Sequence, residues 1–194
     1  MKAIKVLIVI IAIFCCVAYL LPKEFEVNRT IEINAPMESI YEQASVLSNW
    51  ANWSAWHEMD PEADYTYSSP NAGVGAYYSW DGNPDLVGQG KLTILEADGS
   101  SSLKTEVIFL KDGEENGRGN GVWALSEKNG VTLVGWSFLG DMGYNPIARW
   151  IGLLMDGILG PQLETGLNNM KEYLENIPAE EVVEELHIDS VTVE

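Results

Sequence analysis

The chain has 194 residues, 46% of them hydrophobic and 21% charged, which allows one domain with a sizeable core and leaves too little for two once a terminal segment is set apart. Its formal net charge is -18, and the first 23 residues hold three of the 11 bases and no acid, so the remainder carries 8 bases against 29 acids, a net of -21. A field of that sign repels phosphate backbones, which argues against nucleic acid as a partner, and repels an anionic lipid surface, which predicts that the domain stands off a bilayer.

From Val6 to Leu21 the sequence is apolar apart from a tyrosine hydroxyl and two thiols, with Lys2 and Lys5 before it and Pro22, Lys23 and Glu24 after it. Roughly 20 helical residues cross a hydrocarbon core, so residues 1–23 are predicted to be an N-terminal transmembrane helix, a single-pass anchor that meets the membrane through residues 6–21. The run ends in Ala18-Tyr19-Leu20-Leu21 without the small-residue pattern of a cleaved signal segment, which favours an anchor that stays. Lysines before the run and acids after it predict a domain on the periplasmic or extracytoplasmic side. Cys15 and Cys16 are adjacent within this helix, so they provide neither a disulfide framework nor a zinc site.

Residues 24–177 read as the folded domain. Phe25, Val27, Thr30, Ile31 and Ile33 form a first strand stopped at Asn34-Ala35-Pro36. Ile40, Tyr41, Ala44 and Leu47 then recur at helical spacing, and a second short helix is predicted to carry Trp50, Trp53 and Trp56. Asn71-Ala72-Gly73, Asp81-Gly82-Asn83-Pro84, Asp98-Gly99, Asp112-Gly113 and Asn129-Gly130 are hairpin turn chemistry, because Gly and Asn tolerate the positive φ of tight reversals. They divide the middle of the chain into six antiparallel strands near 64–70, 74–81, 89–97, 102–111, 119–127 and 131–139. The last element is a long helix from Pro146, with Ile147, Ile151, Leu154, Met155, Ile158, Leu159, Leu163 and Leu167 on one apolar face and a kink or break expected at Gly160-Pro161. Residues 178–194 are an acidic tail or the start of a further domain.

A strand, two short helices, six strands and a closing helix predict an α+β architecture in which a seven-stranded curved antiparallel sheet wraps around a long C-terminal helix. In this order the segments Ile33-Asn34-Ala35-Pro36, Trp50 to Trp56, Gly73-Val74-Gly75 leading to Trp80, Gly88 to Lys91, Val131 to Trp136 and Gly160 to Lys171 resemble the SRPBCC or START-like superfamily, in its polyketide cyclase/dehydrase and lipid-transport branch. The resemblance covers about residues 25–177. It implies a helix-grip fold with an internal cavity for a lipid or other hydrophobic ligand. It implies no reaction, since a shared fold hosts many functions.

Trp53, Trp56, Trp80, Trp123 and Trp136 are candidate ligand-binding residues: the first two as a roof, the others as strand residues whose alternation decides which way they face. Ile151, Met155 and Leu159 are candidates on the long helix, Met155 foremost because methionine adapts to irregular shapes. His57, next to Glu58 and close to Asp60, and Asp81 are the weak candidates for catalysis, lacking a visible partner or nucleophile. Arg149 is placed either to meet a ligand carboxylate or to pair with a surface acid. Asp81, Asn83 and Asp85 imitate the start of a calcium loop, but Leu92 stands where its glutamate belongs. No metal-ligand spacing, P-loop or dinucleotide fingerprint appears, so no cofactor is expected. The sequence reading is a membrane-anchored binder of a hydrophobic small molecule or lipid, in a cavity between sheet and C-terminal helix. Its rivals are a cyclase or dehydratase-type enzyme using the same cavity and an interaction module without a ligand.

Overall fold

The computed structural model describes residues 2–176; the predicted tail at 178–194 lies outside them. Helix α1 (Lys2–Ala18) leads into strand β1 (Glu24–Ile33), helix α2 (Met37–Ser45), a 3-10 turn (Leu47–Asn52) and helix α3 (Ala55–Met59). Strands β2 (Asp64–Tyr67), β3 (Tyr77–Asp81), β4 (Gln89–Ala97), β5 (Ser102–Lys111), β6 (Glu114–Lys128) and β7 (Val131–Asp141) follow, then helices α4 (Pro146–Gly152) and α5 (Met155–Asn176).

The seven strands form one antiparallel sheet in the order β1-β7-β6-β5-β4-β3-β2. Tight turns set its register: Asp112 and Gly113 have φ of 53° and 81°, and Asn129 and Gly130 have 57° and 80°. These are the left-handed values that select Asp, Asn and Gly. Inward side chains alternate with outward ones along each strand, as on β7, where Thr132, Val134, Trp136 and Phe138 are buried. The concave face so produced holds the core.

α5 lies along β1 and buries Leu163, Leu167, Met170 and Leu174. Arg29 ties the start of α5 to β1 through Asp156, at 2.7 Å, and Glu164, at 2.5 Å. Lys171 donates to the Glu32 carbonyl at the other end.

Four expectations are corrected. The tryptophan segment is no single helix. A 3-10 turn ends at Asn52, and α3 begins only after Ser54, because Trp50 and Trp53 turn inward together to donate to α2 carbonyls. The long helix does not break at Pro161, which lies inside α5; the break falls earlier, at Leu153 and Leu154. Gly160 has no side chain where the Arg29 guanidinium packs, so the glycine serves a close contact rather than a kink. β3 starts later than predicted, because Gly73 and Gly75 hold φ of 84° and 90° in the preceding loop.

The fourth correction concerns the membrane. α1 is apolar over Val6–Ala18 but has 17 residues, about 25 Å of helix against a core of about 30 Å. Among the described residues no helix is long and apolar enough to cross a membrane. Just past the end of α1, Arg149, buried to 7% exposure, donates to Tyr19 O at 3.0 Å and Leu21 O at 3.3 Å and also to Gly143 O at 2.9 Å. The Arg149 guanidinium thus directs its hydrogen bonds to backbone carbonyls, with Asp141 near enough to feel its charge. It fastens α1 to α4.

Candidate aromatic cavity

The concave face is filled unevenly. Above β1 and β7 it is solid: Trp53, Trp123 and Trp136 pack with α5, whose Gly166 leaves room for the Trp53 and Trp136 rings. Trp123 and Trp136 are cross-strand partners and stack with centroids 4.4 Å apart. From β3 across to the Trp136 and Phe138 side chains of β7 the covering is thinner, led by the tryptophan segment, and a cavity of about 180 Å³ remains.

Trp50 and Trp56 roof that cavity, and Tyr78, Trp80, Leu92, Thr105, Val107, Phe109, Gly121, Trp136 and Phe138 from five adjacent strands line it. Tyr65 closes one side, and Leu86 and Val87 of the β3–β4 loop form the rim. No residue of α4 or α5 contributes to the lining, so the gap lies under the tryptophan segment and not, as expected, under the C-terminal helix. A 22-residue helix presses its own apolar side chains onto the sheet, whereas a 3-10 turn and a five-residue helix present few and leave space.

Glycines permit the aromatic arrangement. A Cβ at Gly90 would run into the Trp80 ring across the strand pair, and one at Gly119 into Phe138. Steep ring contacts enclose the space: Trp50 meets Trp136 at 87°, Trp56 meets Trp136 at 73° and Trp80 meets Phe109 at 80°. Such edge-to-face packing is favoured by the ring quadrupole. Trp80 donates its indole N–H to Val87 O at 3.1 Å, and buried Asp60 accepts from Asn83 N at 2.7 Å, so both hold the rim loop.

The lining carries no charged side chain, and eight of its 14 residues are aromatic. Its polar side-chain groups are the hydroxyls of Tyr65, Tyr78 and Thr105 and the indole N–H groups of Trp50, Trp56, Trp80 and Trp136, of which Trp50 and Trp80 already donate to backbone carbonyls. Burial pushes the Tyr65 hydroxyl up to about 12 and the Tyr78 hydroxyl well above the ordinary tyrosine range, so both stay protonated.

Of the candidates from sequence, Trp56, Trp80 and Trp136 line the cavity. Trp53 and Trp123 are buried behind it, Met155 and Leu159 pack against the core at its α5 side, and Ile151 is exposed. His57 stands one layer away, stacked on Tyr65 with centroids 3.9 Å apart and with Nε2 3.5 Å from the Tyr67 hydroxyl. Its Nδ1 is buried without a partner, and burial lowers its pKa to about 4, so the ring is neutral near pH 7. Asp81 is exposed at the end of β3 and accepts from Gln89 at 2.8 Å, outside the lining. Among the described residues no group of three or more His, Cys, Asp or Glu is placed to hold a metal ion.

The residues not foreseen are Tyr65, Leu86 and Val87 at the edge and, on the strands, Tyr78, Leu92, Thr105, Val107, Phe109, Gly121 and Phe138. Strand parity is the signal that finds this second group, because each sits on the same face as Trp80, Trp123 or Trp136 once the register is counted across the sheet.

The family profile described as polyketide cyclase/dehydrase and lipid transport matches residues 24–175. The chain belongs to that family. Several solved structures share the fold at low identity. A protein from Arthrobacter aurescens superposes with a TM-score of 0.57 at 14% identity, covering 80% of this chain and 88% of its own. CalU16 from Micromonospora echinospora gives 0.53 at 13% identity, covering 82% and 80%. DynU16, a protein of the dynemicin biosynthetic locus, gives 0.52 at 15% identity over 78% of this chain, which spans 47% of DynU16. No curated protein matches. At these identities the likeness carries the polyketide cyclase/dehydrase fold and not its substrates.

Proposed function

We propose that this family member is a binding protein for a small, neutral, largely apolar molecule held in the aromatic cavity, and that α1 keeps it at a membrane. The observation that carries the first part is the cavity itself: about 180 Å³, ringed by aromatic side chains and free of charge. An engineered apolar cavity of about 150 Å³ stays dry and takes up benzene, while drug-sized ligands occupy about 300 Å³ or more. The size favours a compound of one or two rings, or one branch of a larger lipid, over a whole sterol. Apolar surface buried at about 25 cal/mol per Å² drives the binding. The hydroxyls of Tyr65 and Tyr78 and of Thr105 offer hydrogen bonds to a single polar group on the ligand.

Support for the second part is α1, whose side chains from Val6 to Ile11 are all exposed and all apolar. A helix apolar all round is stable only when surrounded by an apolar medium.

One observation favours an enzyme instead. His57, with an unpartnered Nδ1, stacks on a tyrosine of the lining, so a proton acceptor stands close to the cavity. Against it, among the described residues no carboxylate is hydrogen-bonded to His57 to orient it, and its depressed pKa makes it a weak base.

Native mass spectrometry of the full chain released from host membranes in detergent tests the binding reading. A stoichiometric adduct of low mass that is lost in Val107→Phe supports it, and release of a converted product that stops in His57→Gln supports the enzyme. A protein that is empty and takes up neither indole nor naphthol contradicts both.

A further inference from the structure

Between Asp141 and Asp156 the only charged side chain is Arg149, which is turned inward to cap α1. Asp156 itself is engaged by Arg29. The remaining surface of this stretch is apolar and open: Tyr144 is 80% exposed, Ile147 62%, Leu153 53%, Leu154 63% and Ile158 49%. Ile147, Ile151, Leu154 and Ile158 recur at helical spacing, which is why the sequence reads them as core. In the structure they face away from the sheet.

From these contacts the geometry points to a lipid-facing shelf: Tyr144 to Ile158 rests in the interfacial layer of the same bilayer that receives α1. The inference rests on the membrane reading of α1 and extends it to the folded domain. Three observations choose lipid as the occupant. First, the shelf is continuous with α1. The Phe14 and Trp150 rings stack at 5.1 Å, the Trp150 indole donates to Phe14 O at 3.4 Å, and Arg149 binds the carbonyls that end the helix. Second, α1 is exposed on every side from Lys2 to Ile13, and only its last turns meet α4. A protein partner covers one face of a helix, while a fluid apolar phase covers all of them. Third, Arg149 is turned inward, so the shelf presents no cation to anionic headgroups, and the domain's net charge is strongly negative. Apolar insertion into zwitterionic lipid is the contact it fits.

The shelf also orients the cavity. Glu24 pairs with Asp141, so the chain enters from α1 and leaves toward α4 at one end of the sheet. Trp80, Gly90 and Phe109 pair across the strands at that same end, and the rim loop with exposed Leu86 lies beyond them. A domain resting on its shelf turns the rim end of the sheet toward lipid, and an apolar ligand then exchanges with the bilayer over a short path. The domain does not stand off the membrane, as its charge alone suggests.

The test uses the full chain with Cys15→Ala and Cys16→Ala in phosphatidylcholine vesicles, carrying one environment-sensitive fluorophore at Leu154→Cys, Ile8→Cys or Lys128→Cys. Lys128 lies at the opposite end of the sheet, by the β6–β7 turn. The expected result is quenching by lipid-borne nitroxide several-fold stronger at positions 154 and 8 than at 128, with the reverse order for aqueous iodide. A label at 154 that behaves like 128 while 8 is lipid-quenched overturns the shelf and keeps the anchor. Aqueous quenching at both 8 and 154 overturns the anchor and the shelf with it. Shielding of 154 from both quenchers, with cross-links between copies, overturns the shelf by showing that protein covers it.

Discussion

The two halves of the concave face are built from the same residue types and end in opposite states. Over β1 and β7 a 22-residue helix delivers Leu163, Leu167, Met170 and Leu174 into the sheet, with Trp53 and Trp123 fully buried between them. Away from α5, from β3 toward β6, a 3-10 turn and a five-residue helix offer little more than Trp50 and Trp56, and a cavity remains. Aromatic content alone therefore does not make a binding site. The covering element decides whether tryptophans become core or wall.

Substitutions that break this contrast have effects of different kind and size. The largest is expected in the solid half: Trp53→Ala removes a 1%-exposed indole and loses about 3–5 kcal/mol in chemical denaturation. Trp80→Ala, at the open half, already borders space and is expected to lose less than half of that, while weakening indole binding at least tenfold. Val107→Phe fills the cavity and is expected to leave stability within about 1–2 kcal/mol while abolishing binding, read by thermal unfolding and calorimetry on the same samples.

A smaller, pH-dependent effect separates His57 from the rest. Its folded pKa, about 4, lies below the ordinary value of 6.5 because burial disfavours the charged ring. The unfolded chain therefore binds more protons between these values, and stability is expected to fall as pH drops from 6.5 toward 4. Solvent screening of this partly exposed ring limits the change to about 1–2 kcal/mol. His57→Asn should flatten that part of the profile in denaturation series at pH 7, 5.5 and 4. The smallest effect is expected at Asn145, whose side chain accepts from Ile147 N and caps α4. Asn145→Ala should cost about 1 kcal/mol and leave ligand binding unchanged.

Much of the sheet is legible in the sequence, because Asp112-Gly113 and Asn129-Gly130 impose the backbone they occupy and alternation does the rest. The family is legible for the same reason, as an order of elements. The site is legible only in part. Trp56, Trp80 and Trp136 line the cavity, but nothing local separates them from Trp53 and Trp123, which differ only in what lies above them. That depends on the 3-10 geometry after Leu47 and on where α5 begins. Ile151 illustrates a second limit. Apolar spacing on a helix records that a face avoids water, and a face turned to lipid shows the same spacing as one turned to a core. Pro161 illustrates a third, since α5 runs through it while packed along β1, and such packing is not visible in the local sequence.

The central claim, that the space under the tryptophan segment is a ligand site, is tested most directly by calorimetric titration of indole into the full chain in parallel with Val107→Phe. Saturable binding at one site is expected in the wild-type protein and none in the variant, with the two proteins unfolding at similar temperatures. Equal heats in both, or no binding to a wild-type protein shown to be folded, would contradict it.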